Sequence, residues 1–262
     1  MDAPVDVVGR TALLLRAVAA AEPTGAGTAA LARAAGLARP TAHRLLTSLE
    51  AEGLTERTPE HGHWVLGPEL YLLGSAAAAR YDVTAHAQPV VRRLALATGE
   101  SAFFSARRGE ETICLLREDG SFPLRSHVLH EGIRFPLGVA SAGLAILAHL
   151  PEAQVRDFLA RHDLTAEHGP AHAVRPLRTR IRRTRELGYA VNPGLLVEGS
   201  WGMGAAVFDA AGRPGWALSL TGIAQRFGPA RRRELGALLL HEAHELSQAV
   251  QSAADVTPRA RG

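Results

Sequence analysis

The sequence predicts an α+β fold in two unequal domains, and three observations support that prediction. The chain has 262 residues, which is more than one ordinary compact domain holds. The first 67 residues contain three apolar helical patterns followed by a short hairpin pattern. Strand and helix patterns then alternate irregularly from residue 84 onward, which favours an antiparallel sheet packed against helices.

The N-terminal domain, residues 1–67, opens with three predicted helices. Residues 7–21 are apolar at helical spacing, and the pattern ends at a cluster of Pro and Gly. The second helix spans residues 28–35, starting at a threonine of the capping type and stopping before a glycine. The third spans residues 40–52, with a proline in its first turn. The two short helices and their four-residue turn have helix-turn-helix spacing.

The third helix separates by angle into an apolar and a polar face. At roughly 100° per residue, one stripe is formed by Ala42, Leu45, Leu46 and Leu49. The opposite face offers hydroxyl, imidazole and guanidinium donors, which contact phosphates and base edges in a major groove. The candidate DNA-binding residues of this helix are Arg39, Pro40, Thr41, His43, Arg44 and Thr47.

A short hairpin pattern follows the third helix directly. Residues 54–57 and 63–66 are predicted strands around a Pro and Gly turn, in the position of a wing. Arg57 and His61 in this wing are candidate contacts to the phosphate backbone. A plain three-helix bundle is the alternative. Residues 1–67 carry six Arg against seven Asp and Glu, so DNA affinity would depend on where the charges are placed.

The rest of the chain is divided into a linker, a second domain and a tail. Residues 68–83 are a predicted linker helix, residues 84–252 the second domain, and residues 253–262 a flexible tail. The helices predicted in the second domain span residues 85–98, 137–149, 152–161, 177–187 and 229–251. Its predicted strands span residues 101–107, 112–117, 124–129, 205–209 and 216–221.

The composition excludes several classes of protein. Apolar residue types make up 47% of the chain and charged types 21%, which is typical of a globular protein. No apolar run approaches the length of a membrane span, and the N-terminus lacks the basic start of a secretory signal. The single cysteine, Cys114, cannot form an internal disulfide or by itself a thiolate zinc site. We therefore expect a cytoplasmic protein with no metal, no cofactor and no membrane partner.

The basic side chains are all arginine. None of the 29 Lys and Arg residues is a lysine, so any bound anion meets a guanidinium, while a net charge of +3 does not by itself indicate nucleic acid. A run of them, here named the Arg stripe, consists of Arg175, Arg178, Arg180, Arg182, Arg183 and Arg185. Such a run predicts a solvated face. The alternatives are pairing with acids across a subunit interface and non-specific nucleic-acid binding.

Two short motifs resemble catalytic sequences but lack the required geometry. His241 and His244 are three residues apart, whereas a zincin helix needs a spacing of four. Ser200 lies in a segment similar to a nucleophile elbow, but Glu198 replaces the first glycine of that motif. An enzyme that acts on a small molecule through residues 84–252 is therefore only the alternative.

Six segments of the chain carry a resemblance to one known family. In order, they are RTALLLRAV, GLARPTAHRLLTSLEAEGL, WVLGPELYLLG, EGIRFPLGVASAGLAILAHLPE, RELGYA and GAAVFDAAGRPGWALSLTG. They are similar to the IclR (isocitrate lyase regulator) family of transcription factors. The resemblance implies a winged helix-turn-helix, a linker helix and a GAF-like effector domain. It also implies a homodimer or homotetramer that binds double-stranded operator DNA and responds to a small organic molecule.

The resemblance also implies roles for individual residues. The family's recognition helix faces DNA at the positions of Arg39, Thr41, His43 and Arg44, whereas Pro40 stands where a serine is usual. Gly138 and Leu144 stand where the family usually has His and Lys. The implied effector-binding residues are Ser141, Ala142, Asn192, Ser200, Trp201, Gly202, Ser219 and Thr221.

The composition of this implied pocket predicts the chemistry of the effector. An apolar pocket with a few convergent polar groups suits a neutral or weakly acidic, aromatic metabolite. The Asn192 amide can donate or accept a hydrogen bond, and Trp201 would add an aromatic wall. The glycines at 202 and 204 either leave space for the ligand or serve packing. We predict a repressor whose operator binding this metabolite modulates; the enzyme and the non-specific nucleic-acid binder are the alternatives.

Overall fold

A computed structural model describes residues 7–78, 83–123 and 128–256 of the chain. It divides into two compact units, Met1–Tyr81 and Asp82–Gly262. The first is helical with a two-stranded hairpin, and the second is a six-stranded sheet with helices. The predicted α+β class is therefore confirmed.

The first unit is a winged helix-turn-helix, as predicted. Its elements are α1 Val7–Ala19, α2 Thr28–Ala34, α3 Arg39–Ala51, β1 Thr55–Arg57, β2 Trp64–Leu66 and α4 Pro68–Ala78. Gly36, with a φ of +65°, makes the turn after α2 that a residue with a Cβ would adopt only under strain. α4 occupies the first part of the predicted linker helix. Residues 79–82 of that helix lie outside the described residues.

The core of the first unit is built around Trp64. This side chain is fully buried together with Leu14, Val18 and Leu46 from the helices. Its indole N–H donates a hydrogen bond to the Thr28 hydroxyl over 2.9 Å. Thr28 was expected to cap α2, but Gly27 occupies that position and Thr28 anchors the wing strand instead.

The second unit contains one antiparallel sheet with the strand order β5-β4-β3-β8-β7-β6. Its strands are β3 Ser101–Arg108, β4 Glu111–Glu118, β5 Arg134–Pro136, β6 Ala190–Pro193, β7 Ser200–Phe208 and β8 Pro214–Ile223. Its helices are α5 Val83–Thr98, α6 Ser141–Ala148, α7 Glu152–Arg161, α8 Thr165–His168, α9 Val174–Leu187 and α10 Pro229–Val256.

Each face of this sheet is covered by a different set of helices. Successive side chains of a strand point to opposite faces, so odd and even positions of β7 pack in different layers. Met203 and Ala205 pack with α5 and α10, whereas Ala206 packs with α6 and α9. The second layer also contains the polar positions of the sheet, so it is the layer that forms the candidate effector site.

Several elements of the second unit differ from the prediction. β7 begins at Ser200, five residues before the strand predicted over 205–209, and β6 was not predicted. The strand predicted over 124–129 is absent at Val128 and Leu129, its other residues lie outside the described ones, and a strand forms instead at β5. The helix predicted from residue 137 starts at Ser141, because Gly138 has a φ of +83° and turns the chain there. α9 begins at residue 174, three residues earlier than predicted, with a proline in its first turn.

The long C-terminal helix α10 is amphipathic. It buries Leu235, Leu239 and Leu246 against the sheet and exposes Arg233 and His241 on its other side. In the three described stretches of the chain, no helix is long and apolar enough to cross a membrane.

Candidate nucleic-acid interface and effector cavity

The two faces of α3 are as different as the sequence predicts. Ala42, Leu46 and Leu49 are buried in the first unit. The polar face is open to solvent, with exposed side chains at Arg39, Pro40, His43, Arg44 and Thr47, while Thr41 is half-buried. Within the part of the chain that the structure describes, neither Arg39 nor Arg44 forms an ion pair. Both guanidinium groups are therefore available for an external anion.

The wing holds its two candidate contacts differently. The Arg57 guanidinium lies 4.0 Å from the centroid of the Trp64 ring, and its Nε is 3.5 Å from Glu50 Oε1. These contacts fix the side chain between the wing and α3. His61 is exposed at the tip of the wing, with Nε2 3.9 Å from a carboxylate oxygen of Glu60. Of the two, His61 is the freer group.

The predicted effector residues converge on one face of the sheet. Asn192, Gly202 and Thr221 are paired across β6, β7 and β8, and Gly204 and Ser219 form the next row. The N-terminus of α6 lies over these rows. A cavity of about 20 Å³ lies between them, lined by Val128, Leu129, Ala140, Ser141, Asn192, Leu196, Ser200, Gly202 and Thr221. Ser219 and Ala142 line an adjoining cavity of about 10 Å³, which also contacts Leu129 and Ala140.

Two hydroxyl groups in these cavities lack a partner. Ser219 Oγ and Thr221 Oγ1 are buried, and neither makes a hydrogen bond within the described chain. Nearly all buried polar atoms in proteins are satisfied, so an orphaned pair indicates an absent water or ligand group. A volume of about 20 Å³ accommodates about one water molecule. In this structure the cavity is smaller than a metabolite.

Asn192 has a structural task that the sequence did not indicate. Its side-chain N–H donates to the Val139 carbonyl over 2.8 Å, and its Oδ1 accepts the Leu195 N–H over 2.9 Å. The amide thus joins the turn before α6 to the loop after β6. It positions the cavity wall, and the two orphaned hydroxyls are the better candidates for direct contact with a ligand.

The glycines of β7 serve close packing. A Cβ at Gly204 would lie 2.9 Å from the Ser141 carbonyl oxygen and 3.1 Å from the Ala142 nitrogen. A Cβ at Gly202 would lie 3.1 Å from Ser141 Oγ. The start of α6 occupies the space beside Gly204, while Gly202 also lines the cavity.

Trp201 does not reach the cavity, contrary to expectation. Its neighbour Gly202 faces α6, so Trp201 points to the opposite face of the sheet. There its ring lies 6.4 Å from the Phe227 ring and 5.0 Å from the Arg232 guanidinium carbon. Trp201 therefore does not supply the predicted aromatic wall, whereas Phe135 lines the adjoining cavity. Leu129, Ala140 and Leu196 are walls that sequence reasoning missed, because they lie outside regular elements.

Cys114 and the histidines of α10 have no catalytic surroundings. Burial, with a smaller contribution from the Glu131 charge, raises the pKa of the Cys114 thiol to about 12. Glu242, between the two histidines, pairs with Arg93 over 2.7 Å. No three His, Cys, Asp or Glu residues of the described chain are placed to hold a metal ion.

Most of the Arg stripe is engaged within the second unit. Arg178 and Arg185 both bind Glu152, at 3.3 and 3.1 Å. Arg182 lies 3.8 Å from Glu186, and the guanidinium of Arg180 donates to a backbone carbonyl over 3.2 Å. These contacts lower the charge that the stripe presents to solvent.

The comparisons with known proteins cover both units. A model of the IclR helix-turn-helix domain matches residues 7–59, and a model of the bacterial transcriptional regulator IclR C-terminal domain matches residues 75–248. The chain is 30% identical to the transcriptional repressor IclR of Escherichia coli K12 over 213 residues, which are 79% of this chain and 76% of that protein.

Solved structures share the fold along almost the whole chain. An IclR transcriptional regulator from Alicyclobacillus acidocaldarius superposes with a TM-score of 0.74 at 24% identity, covering 96% of this chain and 100% of that one. An IclR homologue from Microbacterium hydrocarbonoxydans, in complex with 4-hydroxybenzoate, gives 0.74 at 22% identity, covering 94% and 100%.

Proposed function

This chain belongs to the IclR family of bacterial transcriptional regulators, and from that premise we propose that it represses transcription from an operator until a small, neutral metabolite binds its second unit. The E. coli relative is named as a repressor, which supports the sign of regulation. The proposed DNA contacts are the polar face of α3 and His61 of the wing. Because operator DNA lies in the bacterial cytoplasm, we propose that the protein acts there.

The exposed face of α3 is the observation that carries this proposal. Arg39 and Arg44 extend from a helix whose other face is fixed in the core, and both are free of intramolecular ion pairs in the described chain. An Arg fork pairs with the O6 and N7 atoms of guanine, while His43 and Thr47 add single donors. A wing directly after such a helix contacts the adjacent phosphates.

The first test is fluorescence anisotropy of the full-length protein on labelled DNA from upstream of its own gene. Scrambled DNA of the same composition is the control, and both are titrated over a series of salt concentrations. We expect dissociation constants of about 10⁻⁸ M or tighter on the specific DNA, at least about a thousandfold below the scrambled control. Equal affinity for both DNAs across the salt series contradicts operator binding.

The effector is proposed to bind at the orphaned hydroxyls of Ser219 and Thr221. None of the described lining residues of the two cavities is charged, so an ion would be buried without a partner. A neutral ligand that donates to or accepts from both hydroxyls satisfies them. The 4-hydroxybenzoate complex of the M. hydrocarbonoxydans protein supports an aromatic effector.

Release of DNA by candidate metabolites tests this site. Thr221→Val keeps the shape of the side chain and removes its hydroxyl, so we expect the half-maximal effector concentration to rise about tenfold. Thr179→Val makes the same change on the exposed side of α9 and is the matched control. An effector that acts equally on both variants binds elsewhere.

We also propose that the chain acts as a dimer or tetramer. Tyr71, Leu72 and Leu73 of α4 are more than half exposed, which is unusual for three consecutive apolar side chains. In a dimer they would be covered, and two α3 helices about 34 Å apart could bind successive turns of one operator. Effector binding would then shift the population between two dimer arrangements. Analytical ultracentrifugation with and without DNA measures the oligomeric state.

A further inference from the structure

A groove much larger than the effector cavity lies at the other end of α6 and β7. Its volume is about 510 Å³, within the range of about 300–1,000 Å³ that small-molecule sites occupy. Ala206, Phe208, Leu240 and Ala243 supply its apolar lining, and all of it belongs to the second unit.

The groove exists because β6 is shorter than β7. β6 pairs with β7 only from Trp201 to Gly204, so β7 continues beyond its neighbour. α10 covers that edge, and there Ser247 Oγ accepts the Phe208 N–H over 3.0 Å and donates to the Ala243 carbonyl. Alanines at 206 and 243 leave depth between the strand and the helix.

Two side chains at the rim, His149 and Gln251, each present a hydrogen-bond acceptor. His149 Nδ1 lies 2.8 Å from the Ala145 carbonyl oxygen, which can only accept, so Nδ1 carries the proton and Nε2 keeps its lone pair. The Gln251 N–H donates to the Asp209 carbonyl over 3.3 Å, which leaves its amide oxygen as an acceptor. The Phe208 ring stands edge-on to the His149 ring, 5.4 Å away at 85°.

We propose that this groove is a second small-molecule site, which takes a neutral, planar aromatic molecule that carries a hydroxyl or N–H donor. None of its described lining residues is Asp, Glu or Arg, so the groove offers a ligand no permanently charged partner. A flat ring lies along the apolar lining and extends the edge-on pair of His149 and Phe208. The donor reaches His149 Nε2.

The position of the groove couples it to the effector cavity. His149 directly follows α6, whose first residue, Ser141, lines the effector cavity. α6 has eight residues, all buried, so it spans about 12 Å as a rigid body. A ligand that fixes His149 therefore fixes the helix that closes the first cavity, and the two ligands affect each other's affinity.

Binding of 2-naphthol to the full-length protein, measured by isothermal titration calorimetry, tests the site. 2-Methoxynaphthalene, which lacks the donor, is the comparison ligand. His149→Phe keeps an aromatic ring and removes the acceptor, and we expect it to weaken 2-naphthol binding about tenfold while leaving 2-methoxynaphthalene unchanged. His241→Phe, on the exposed side of α10, is the matched control. Leu240→Trp, at the half-open mouth, should block both ligands.

Each alternative occupant gives a different result. If Thr221→Val abolishes 2-naphthol binding and His149→Phe and Leu240→Trp leave it intact, the ligand occupies the effector cavity and the second site is overturned. Loss of binding on raising the protein concentration overturns it in favour of a second copy of the chain. No saturable binding at millimolar 2-naphthol also overturns it. Operator binding is measured separately by anisotropy and stands or falls independently of these results.

Discussion

At the scale of single residues, the arginines near α3 divide into one that is held within the fold and others that are available to a partner. Arg57 is fixed by Glu50 and Trp64, whereas Arg44 extends from the exposed face without an ion pair in the described chain. The position of each arginine along the sequence does not distinguish their roles, because both residues belong to the same small domain. The distinction comes from Glu50, the penultimate residue of α3, which pairs with Arg57.

Arg44→Ala is therefore expected to weaken operator binding by about 1–3 kcal/mol if the guanidinium pairs with a guanine. Effector affinity and the free energy of unfolding should remain close to those of the wild type, because the side chain is exposed. Anisotropy titrations measure the DNA affinity. Arg92→Ala, exposed on α5 of the other unit, is the control. Equal losses in both variants contradict a specific role for Arg44.

His172 makes folding stability depend on pH. The side chain is 2% exposed, and burial, together with the positive charges of Arg180 and His168, lowers its pKa below 6.5. Between the folded pKa and 6.5 only the unfolded chain binds the proton, so stability is complete above about pH 6.5 and falls as the pH decreases through this window. One group contributes at most about 1.4 kcal/mol per pH unit.

Urea unfolding at pH 5.5, 6.5 and 7.5 measures this contribution. The wild type should lose more stability from pH 7.5 to 5.5 than His172→Gln, which has no titrating ring. His86→Gln removes an exposed histidine and should retain the full pH dependence of the wild type. Parallel pH profiles for the wild type and His172→Gln would show that position 172 does not titrate between the two states.

At the scale of elements, the close contact between α6 and β7 depends on a glycine. A Cβ at Gly204 would meet backbone atoms of Ser141 at 2.9 and 3.0 Å, which no side-chain rotation relieves. Gly204→Ala should therefore destabilise the fold by about 1–3 kcal/mol. Gly215→Ala, in the neighbouring strand β8, meets nothing within 4 Å and should be neutral or slightly stabilising. Urea midpoints of the two variants measure the difference.

Long elements with a periodic apolar pattern were predictable from the sequence. The sheet face to which each strand residue points, and the structure of the loops, were not. The faces of α3 follow from a 3.6-residue period because Leu46 and Leu49 recur on it. Trp201 was misplaced because a family match locates a segment, and a shift of one residue in a strand reverses the face. Leu129 was assigned to a strand from its apolar neighbours, yet it covers the effector cavity from a loop. The orphaned hydroxyls became recognisable only when their surroundings were known.

At the scale of the whole molecule, the net charge of +3 does not show which arginines already have an ion-pair partner within the chain. Arg178 and Arg185 share the carboxylate of Glu152, whose pKa they lower, with the hydrogen bond from Arg185 as the main cause. Burial lowers the pKa of Arg180 to about 10, and the same burial limits the access of a polyanion to this side chain. Because most arginines of the stripe have a partner within the second unit, we expect the phosphate contacts to come from the first unit.

The salt dependence of DNA binding distinguishes the two surfaces. Each phosphate that a side chain neutralises contributes about −0.9 to the slope of log K against log salt concentration. Arg39→Ala, at the start of α3, should make the slope less steep by about one on both specific and scrambled DNA if it contacts phosphate. The double variant Arg178→Ala and Arg185→Ala removes twice the charge and should leave the slope unchanged, because Glu152 already holds both groups. A slope that changes only in the double variant would identify the stripe as the DNA-binding surface and remove α3 from that role.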